Sequence, residues 1–293
     1  MSIIDKNTQP FDEQAALQAH IEDVLGVTAP SGTALNVLHR VVHTVFKPVV
    51  VGAEKIPERP CLFVGNHSLF ALDGYLLGPI FFNDLGRFVR GLADRFLFAS
   101  PKLGEFLKDY GCALGHPQVC SALMEAGQDI MVFPGGAHEA VKPASEIYQL
   151  QWRERYGFVR LAAQHGYTIV PFGTVGPDEL YGHLLEGQDI PDSPLGTLLK
   201  RLGVLNENTR PDMLPPLPVG ALGTLIPKPH RIYMGFGEPI DLSRYAGRTP
   251  TKRQQQKIRG EVAEQIEEQI AQMMVVRARN RGNEGLLRRL LTI

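Results

Sequence analysis

Residues 61–73, CLFVGNHSLFALD, decide the fold of this 293-residue chain, because an apolar run passes through a short polar turn into a helical pattern. The run CLFVG at 61–65 predicts a buried strand, since short uninterrupted apolar runs are typical of strands covered on both faces. The residues that follow, 68–82, predict a helix. A buried strand that leads straight into a helix is the unit from which parallel sheets are built.

The same alternation of strand and helix extends along most of the chain. Further strands are predicted at 49–52, 87–93, 129–136, 167–176 and 231–240, and further helices at 12–25, 33–46, 101–108, 118–126, 152–165 and 251–279. The pattern therefore predicts an α/β fold with a mixed, mainly parallel sheet flanked by helices, preceded by N-terminal helices and closed by a long C-terminal helix.

Three segments follow from this pattern. Residues 1–46 are predicted as N-terminal helices, 47–250 as the α/β domain, and 251–293 as the C-terminal helix with a basic amphipathic tail. The stretch 186–230 departs from the alternation because it is rich in proline, and its part 213–229 is also apolar, which is unusual for a solvated loop.

Composition restricts the class of protein. The chain has 30 basic and 31 acidic residues and a formal net charge of −1, so it lacks the overall positive charge of a nucleic-acid-binding protein. Its three cysteines do not form a disulfide framework and fit a reducing compartment. No apolar stretch is long enough to span a bilayer, and the N-terminus does not have the pattern of a secretory signal. We expect a cytoplasmic globular protein without a nucleic-acid partner.

The first candidate for chemistry follows the strand at 61–65. Asn66 and His67 stand at its carboxyl end, where α/β proteins usually bind ligands, and Asp73 lies within the first turns of the next helix. A carboxylate that orients one imidazole nitrogen leaves the other free to take a proton from a hydroxyl. The alternative for this pair alone is an asparagine that caps the helix beside a structural histidine.

Further candidates come from the ends of other strands. Gly135 and Gly136 could aim backbone amides at an oxyanion, and Glu139 would stand at the mouth of such a site. Pro171 marks another strand terminus, and Arg95 belongs to a basic cluster that could bind the phosphates of an acyl carrier. Each has an ordinary alternative, namely a plain turn, a strand end and a solvated arginine.

Taken together, these blocks resemble the glycerolipid acyltransferase superfamily. The blocks are GNHSLFALD (65–73), FPGGAHEAV (133–141) and FVRLAAQHGYTIVPFGTVGPDE (158–179), and the resemblance covers about residues 47–240. The most similar branch includes phytyl ester synthases and the diacylglycerol acyltransferase-2-like and TMEM68-like enzymes. The resemblance implies a glycerol-3-phosphate acyltransferase-like fold and His67 as general base with Asp73 as its partner. It also implies substrate contacts from Asn66, Arg95, Gly135, Gly136, Glu139 and Pro171.

The implied reaction moves a fatty acyl group from acyl-CoA or acyl carrier protein to a lipid alcohol, without a cofactor or a metal. The sequence departs from the family in two places. Five residues, 68–72, separate His67 from Asp73 where four are usual, so either the helix begins one residue later or Asp73 is aimed less well. The block PGGAHE also lacks the arginine of members that acylate phosphorylated acceptors, which favours a neutral acceptor such as diacylglycerol, monoacylglycerol or a long-chain alcohol.

Other functions stay open at this point. A 1-acylglycerol-3-phosphate or other lysophospholipid acyltransferase and a non-catalytic lipid-binding protein are the alternatives. The sequence has no GxSxG motif, which disfavours a serine hydrolase. It also has no HExxH spacing, which disfavours a metal hydrolase whose possible ligands would be His67, Asp73, His116, His138 and Glu139. His39, His43 and His165 lie on helical patterns and are interpreted as packing or surface residues.

A lipid acceptor implies contact with a membrane surface. The tail GLLRRLLTI (285–293) and the apolar segment 213–229 could lie on the inner face of a membrane, or they could pack against the protein's own helices. We predict peripheral association, and weaker flotation with liposomes once residues 285–293 are removed.

Overall fold

A computed structural model describes residues 10–29, 33–206 and 209–292. Residues 1–9 of the predicted N-terminal segment, and Ile293 of the predicted tail, therefore lie outside the described residues. The helices are α1 Pro10–Gly26, α2 Thr33–Val41, α3 Leu72–Pro79, α4 Arg95–Phe98, α5 Pro101–Asp109, α6 Pro117–Glu125, α7 Gly136–Ala140, α8 Gly157–Gln164, α9 Pro194–Arg201, α10 Lys252–Asn280 and α11 Leu286–Leu291. The strands are β1 Val49–Val51, β2 Cys61–Gly65, β3 Val89–Ala93, β4 Ala113–Leu114, β5 Asp129–Val132, β6 Thr168–Val175, β7 Gly182–Leu185, β8 Leu217–Val219, β9 Tyr233–Phe236 and β10 Ile240–Asp241.

The main sheet has eight strands in the order β1-β9-β6-β2-β5-β3-β4, and β10 pairs with β6. The strands around β2 are parallel, with Val64 opposite Val132 on β5 and opposite Pro171 on β6. The pairs that β6 forms with β9 and with β10 are antiparallel. The predicted mixed, mainly parallel sheet flanked by helices is therefore confirmed.

Side chains of β2 alternate between two apolar cores, one on each face of the sheet. Leu62 and Val64 pack into the core that also contains residues of α6, α8 and α10. Cys61 and Phe63 pack into the opposite core, which is covered by α3 and by the helical turn that follows α2. Because both faces are covered, β2 is apolar along its whole length, as the sequence suggested.

The long helix α10 begins at a capping box, in which Thr251 and Gln254 satisfy each other's backbone amides. Its buried stripe contains Ile258, Val262, Ile266 and Ile270, and it joins the same core as the sheet. The predicted C-terminal helix is therefore present and covers one face of the sheet.

Several local predictions are wrong in detail. The helix predicted at 152–165 starts only at Gly157, because Arg153 has a φ of 48° that an α-helix does not tolerate. The sequence also missed α4 and the hairpin formed by β7 and β8 inside the proline-rich stretch. Pro171 does not end a strand but lies in the interior of β6.

The position of Pro171 has a simple explanation. Its carbonyl accepts a hydrogen bond from the amide of Gly237, which lies between the β9 and β10 pairings of β6. The N–H and C=O of one strand residue point to the same side, so the amide that proline lacks faces this interruption in the ladder.

None of the helices among the described residues is both long and apolar enough to cross a membrane.

Candidate active site

The parallel strands β2 and β5 and the strand β6 all end at one edge of the sheet, and three loops meet there. The loop after β2 carries His67, the loop after β5 leads to Glu139, and β6 leads to Asp178. The residues predicted from separate motifs therefore converge at the edge where α/β sheets bind ligands.

His67 and Asp73 form a hydrogen-bonded pair in this site. Nδ1 of His67 lies 3.0 Å from the Asp73 carboxylate, whose side chain is fully buried. The imidazole is stacked on the ring of Phe133, with centroids 4.3 Å apart and planes 7° from parallel. His67 itself is 9% exposed, and Nε2 has no hydrogen-bond partner among the described residues. The arrangement holds the ring in place and leaves Nε2 available for a further hydrogen bond.

The extra residue between His67 and Asp73 is taken up before the helix starts. Phe70 and Ala71 both have a φ of 57°, in the left-handed region, and α3 begins only at Leu72. Of the two explanations offered by the sequence, the later helix start is therefore the one observed. Left-handed backbone at residues other than glycine costs about 1–2 kcal/mol each, so this link is strained.

Ser68 locks the strained link through reciprocal hydrogen bonds. Its amide donates to the Asp73 carboxylate over 2.6 Å, and its hydroxyl accepts from the Asp73 amide over 3.0 Å. A second Asp73 oxygen accepts the amide of Gly74. The carboxylate thus has its direction fixed by backbone donors as well as by the imidazole.

Asn66 fastens the loop to the neighbouring strand. Its amide group donates to the carbonyl of Thr174 over 3.1 Å, and its oxygen accepts the amide of Thr174 over 2.8 Å. Asn66 is 2% exposed. In this structure its side chain is used to position the backbone before His67.

The glycine pair lies beside Glu139. A β-carbon at Gly135 would lie 1.8 Å from Oε2 of Glu139, and Gly136 has a φ of 52°, so both positions favour glycine. The amide of Gly136 donates to the carbonyl of Phe133 over 3.0 Å. That amide is therefore already occupied, whereas the amide of Gly135 has no acceptor within the described part of the chain.

Glu139 does not stand at the mouth of the site, and this expectation is corrected. Its side chain is fully buried, and Oε1 accepts the backbone amide of His67 over 2.7 Å. Burial raises the pKa of Glu139 to about 7, while Lys142 and the amide of His67 pull it downwards. The side chain is instead turned inward by α7, towards the backbone of His67.

The comparisons with known proteins agree with this geometry. A protein-family model described as Acyltransferase matches residues 47–175, the part of the chain that carries both His67 and Glu139. Residues 47–175 are an acyltransferase domain.

Two relatives of this chain have names that refer to the synthesis of an ester or of lipids. Phytyl ester synthase 1 of Arabidopsis thaliana is 30% identical over 77% of this chain. The mouse protein named DGAT1/2-independent enzyme synthesizing storage lipids is 31% identical over 50% of this chain. The chain spans 34% and 47% of the lengths of these two relatives, respectively.

Among solved structures, the crystal structure of the 1-acyl-sn-glycerophosphate acyltransferase of Thermotoga maritima aligns with this chain. The alignment covers 80% of this chain and 78% of that one, with a TM-score of 0.45 and 16% sequence identity. A similarity at this level carries no argument about function.

Two buried charged residues of the site were missed by the sequence analysis. Lys142 donates from Nζ to the carbonyl of His67 and pairs with Asp178 over 2.8 Å. Asp178 accepts the amide of Leu69, and burial raises its pKa while Lys142 opposes that shift. Lys142 lies three residues after Glu139, just beyond the end of α7, and a second charged residue so close to the glycine-rich block is the one sequence signal that could have pointed to it.

The remaining predicted residues do not meet His67 through described contacts. Arg95 lies at the surface on α4 and pairs with Glu13 over 2.7 Å, with both side chains 67% exposed. The other two members of its cluster are also occupied, Arg87 by Asp129 and Arg90 by the carbonyls of Gly111 and Val24. Pro171 is buried within β6 opposite Val64. The structure therefore joins His67 with Asp73 and Glu139 but leaves Arg95 apart.

Proposed function

We propose that this protein is an O-acyltransferase that moves a fatty acyl group from acyl-CoA or acyl carrier protein to the hydroxyl of a lipid alcohol, with His67 as general base. The observation that carries the proposal is the His67–Asp73 pair at the carboxyl edge of an acyltransferase domain, where Nε2 of His67 has no partner among the described residues.

The proposed reaction needs no covalent enzyme intermediate. Nε2 of His67 takes the proton of the acceptor hydroxyl while the hydroxyl oxygen attacks the thioester carbonyl. The tetrahedral intermediate then expels the thiolate, which takes the proton back from the imidazolium, so that an ester and a free thiol are released. Asp73 stabilises the imidazolium, and the amide of Gly135 is the candidate donor to the oxyanion.

A neutral acceptor fits the contacts of the predicted basic residues better than a phosphorylated one. Arg87, Arg90 and Arg95 all have protein partners in this structure. Arg155 donates from Nη1 to the carbonyls of Pro134 and Gly135, so this guanidinium is used within the glycine-rich block. The names of the plant and mouse relatives, which refer to a phytyl ester and to storage lipids, support the same choice.

An apolar surface next to the site supports a lipid substrate. Phe70, in the strained link after His67, makes an edge contact with the ring of Tyr181, whose hydroxyl donates to the carbonyl of Leu225. The side chains on this loop are unusually exposed for apolar residues, at 79% for Leu222, 72% for Leu225 and 67% for Ile226. Such a surface is typical of contact with an apolar phase.

We infer that the protein associates peripherally with the cytoplasmic, inner face of a membrane. The tail helix α11 exposes Leu286, Leu287 and Leu290 beside Arg289, and cytoplasmic leaflets carry anionic lipids that attract basic residues. Part of the tail packs on the protein itself, because Arg288 donates to the carbonyls of Val45 and Pro229.

The decisive experiment is mass spectrometry of lipid products after incubation with acyl-CoA or acyl carrier protein and a panel of acceptors. The panel contains diacylglycerol, monoacylglycerol, a long-chain alcohol and lysophosphatidic acid, with His67→Ala as the blank. An ester of a neutral alcohol that is absent from the blank supports the proposal. Acylation of lysophosphatidic acid alone would favour the lysophospholipid alternative, and lipid binding without any ester would favour a non-catalytic lipid-binding protein.

A further inference from the structure

A second cluster of ionisable side chains lies at the far end of the helical segment that begins with Leu72. It consists of His39 on α2, His43 in the helical turn after α2, and Asp84 at the end of the turn after α3. Asp84 follows Asp73 by eleven residues, or about 16 Å along a helix axis at 1.5 Å per residue. The cluster is therefore separate from the proposed catalytic pair.

Both histidines point the same nitrogen at one carboxylate. Nε2 of His39 lies 2.7 Å from Oδ1 of Asp84, and Nε2 of His43 lies 2.9 Å from Oδ2. The two imidazole centroids are 4.2 Å apart. One nitrogen from each histidine and one carboxylate oxygen all lie within 4.8 Å of one another. Three donor atoms thus converge on a volume the size of a single ion.

The backbone around the cluster is unusual in a way that brings these side chains together. His43 lies in the π-helical turn Val42–Phe46, and Asp84 ends the π-helical turn Ile80–Asp84. These are the two π-helical segments in the ranges 10–29, 33–206 and 209–292. π-Helical turns are rare and occur frequently at functional sites. Both π-helical turns contribute a side chain to this one cluster, which marks the cluster independently of the N–O distances.

We propose that His39, His43 and Asp84 bind a divalent transition metal, with Zn²⁺ as the best fit. Two imidazole nitrogens and one carboxylate oxygen form a normal zinc ligand set, in which water takes the fourth tetrahedral position. The side chains of His39, His43 and Asp84 are 29%, 41% and 27% exposed, so an ion and its water can reach them. The bound ion would link α2 to the helical segment that begins at Leu72.

Metal binding requires a small rearrangement of the hydrogen-bonded cluster. Bonds of about 2.0–2.1 Å at tetrahedral angles place neighbouring donor atoms about 3.3 Å apart, so each nitrogen must move about half an ångström away from the carboxylate. Each imidazole must also carry its proton on Nδ1, which gives up any Nε2–H bond to Asp84. If the cluster only holds α2 and the turn after α3 together by hydrogen bonds, its Nε2 atoms keep their hydrogen bonds to Asp84 when Zn²⁺ is added.

The proposal is tested by Zn²⁺ titration of the full-length protein after treatment with a chelator. Affinity and stoichiometry are measured against a chromophoric chelator, and the melting temperature is followed in parallel. We expect one equivalent of Zn²⁺ to bind and to raise the melting temperature. Loss of one ligand in His43→Ala or Asp84→Asn should weaken binding at least about 10-fold, as even the loss of an outer-shell partner does in known sites.

His165→Ala is the matched control, because His165 bonds to Ser121 outside the cluster, and this variant should bind Zn²⁺ as the wild type does. Circular dichroism establishes that each variant is folded. Absence of a one-to-one site in the wild type would overturn the proposal, and so would equal Zn²⁺ affinity in the wild type and His43→Ala. A lower melting temperature in both cluster variants with no response to Zn²⁺ would identify a hydrogen-bonded clamp instead.

Discussion

At the scale of single residues, buried charges hold both backbone polar groups of His67. Glu139 accepts its amide, and Lys142 donates to its carbonyl. Both side chains are almost inaccessible to solvent, at 0% and 3% exposure. Buried ionised groups are costly unless they are well paired, so this arrangement lowers stability in exchange for a fixed position of the imidazole.

Glu139 makes the stability of the protein depend on pH. Its pKa is raised to about 7 in the folded protein, against an ordinary value near 4.5. At pH values between about 4.5 and 7, Glu139 is ionised in the unfolded chain but still protonated in the folded protein, so the free energy of unfolding should fall as the pH rises. A shift of this size corresponds to roughly 3 kcal/mol.

We therefore expect Glu139→Gln to gain stability relative to the wild type as the pH rises from 5 to 7.5. The amide oxygen of glutamine can still accept the His67 amide but carries no charge to desolvate. The measurement is the free energy of unfolding by urea across this range, with the exposed Glu125→Gln as control. Parallel pH curves for the wild type and Glu139→Gln would contradict the account.

How far single residues could be predicted depends on whether their role is local in sequence. His67 and Asp73 could be predicted because they are close in sequence, one in the loop after β2 and the other at the start of α3. The pairing of Lys142 with Asp178 could not be found, because 35 residues separate them and only the fold brings them together. Arg95 was assigned to substrate by its charge alone, and in the structure that charge pairs with α1.

At the scale of elements, the link between β2 and α3 sets the direction of the proposed catalytic pair, His67 and Asp73. Two successive left-handed residues, Phe70 and Ala71, let the helix begin one residue late and still return Asp73 to His67. The sequence left this open, because left-handed backbone is normally signalled by glycine, and neither residue is one.

Substitution at position 71 tests whether that left-handed link matters. Ala71→Val should lower stability by at least about 1 kcal/mol, because β-branched residues rarely adopt positive φ, and it should lower turnover by moving Asp73. Ala71→Gly should be tolerated, since relief of strain offsets the greater freedom of the unfolded chain.

Thermal unfolding and turnover with the best acceptor measure both effects in the two variants. If Ala71→Val matched Ala71→Gly in melting temperature and in turnover, the link would have no role in aiming Asp73.

Other elements were predictable where apolar patterning alone decides them. The strand β2 and the stripe on α10 follow directly from buried side chains at fixed periods. The start of α8 was not predictable, since the apolar pattern runs through Arg153, where the backbone turns left-handed. The hairpin of β7 and β8 was missed because prolines, which usually interrupt strands, occur on β8.

At the scale of the whole molecule, exposed leucines of the tail helix and of the loop at 222–226 form two apolar surfaces around the chain segment 227–231. Arg288 of the tail bonds to Pro229 within that segment, so the two surfaces are neighbours. A soluble protein rarely exposes several large apolar side chains together without a partner. These are the surfaces that the proposed membrane association would use.

A triple substitution of Leu286, Leu287 and Leu290 by serine should reduce flotation with phosphatidylcholine–phosphatidylserine vesicles. This substitution is a more specific test than deletion of residues 285–293, because Arg288 and its contacts with the protein remain. The matched control is Leu198→Ser with Leu202→Ser on α9, where the side chains are 52% and 66% exposed. Flotation of the triple variant equal to that of the wild type would count against a membrane role for the tail.

The central claim, that His67 is a general base aimed by Asp73, is tested most directly by a double-mutant cycle in acyl transfer. Turnover is measured for the wild type, His67→Ala, Asp73→Asn and the double variant, each checked for its fold by circular dichroism. We predict that His67→Ala lowers turnover by about 10²–10⁴-fold, that Asp73→Asn lowers it less, and that the second change adds nothing to the first. Full turnover by folded His67→Ala, or losses that simply multiply in the double variant, would contradict the account.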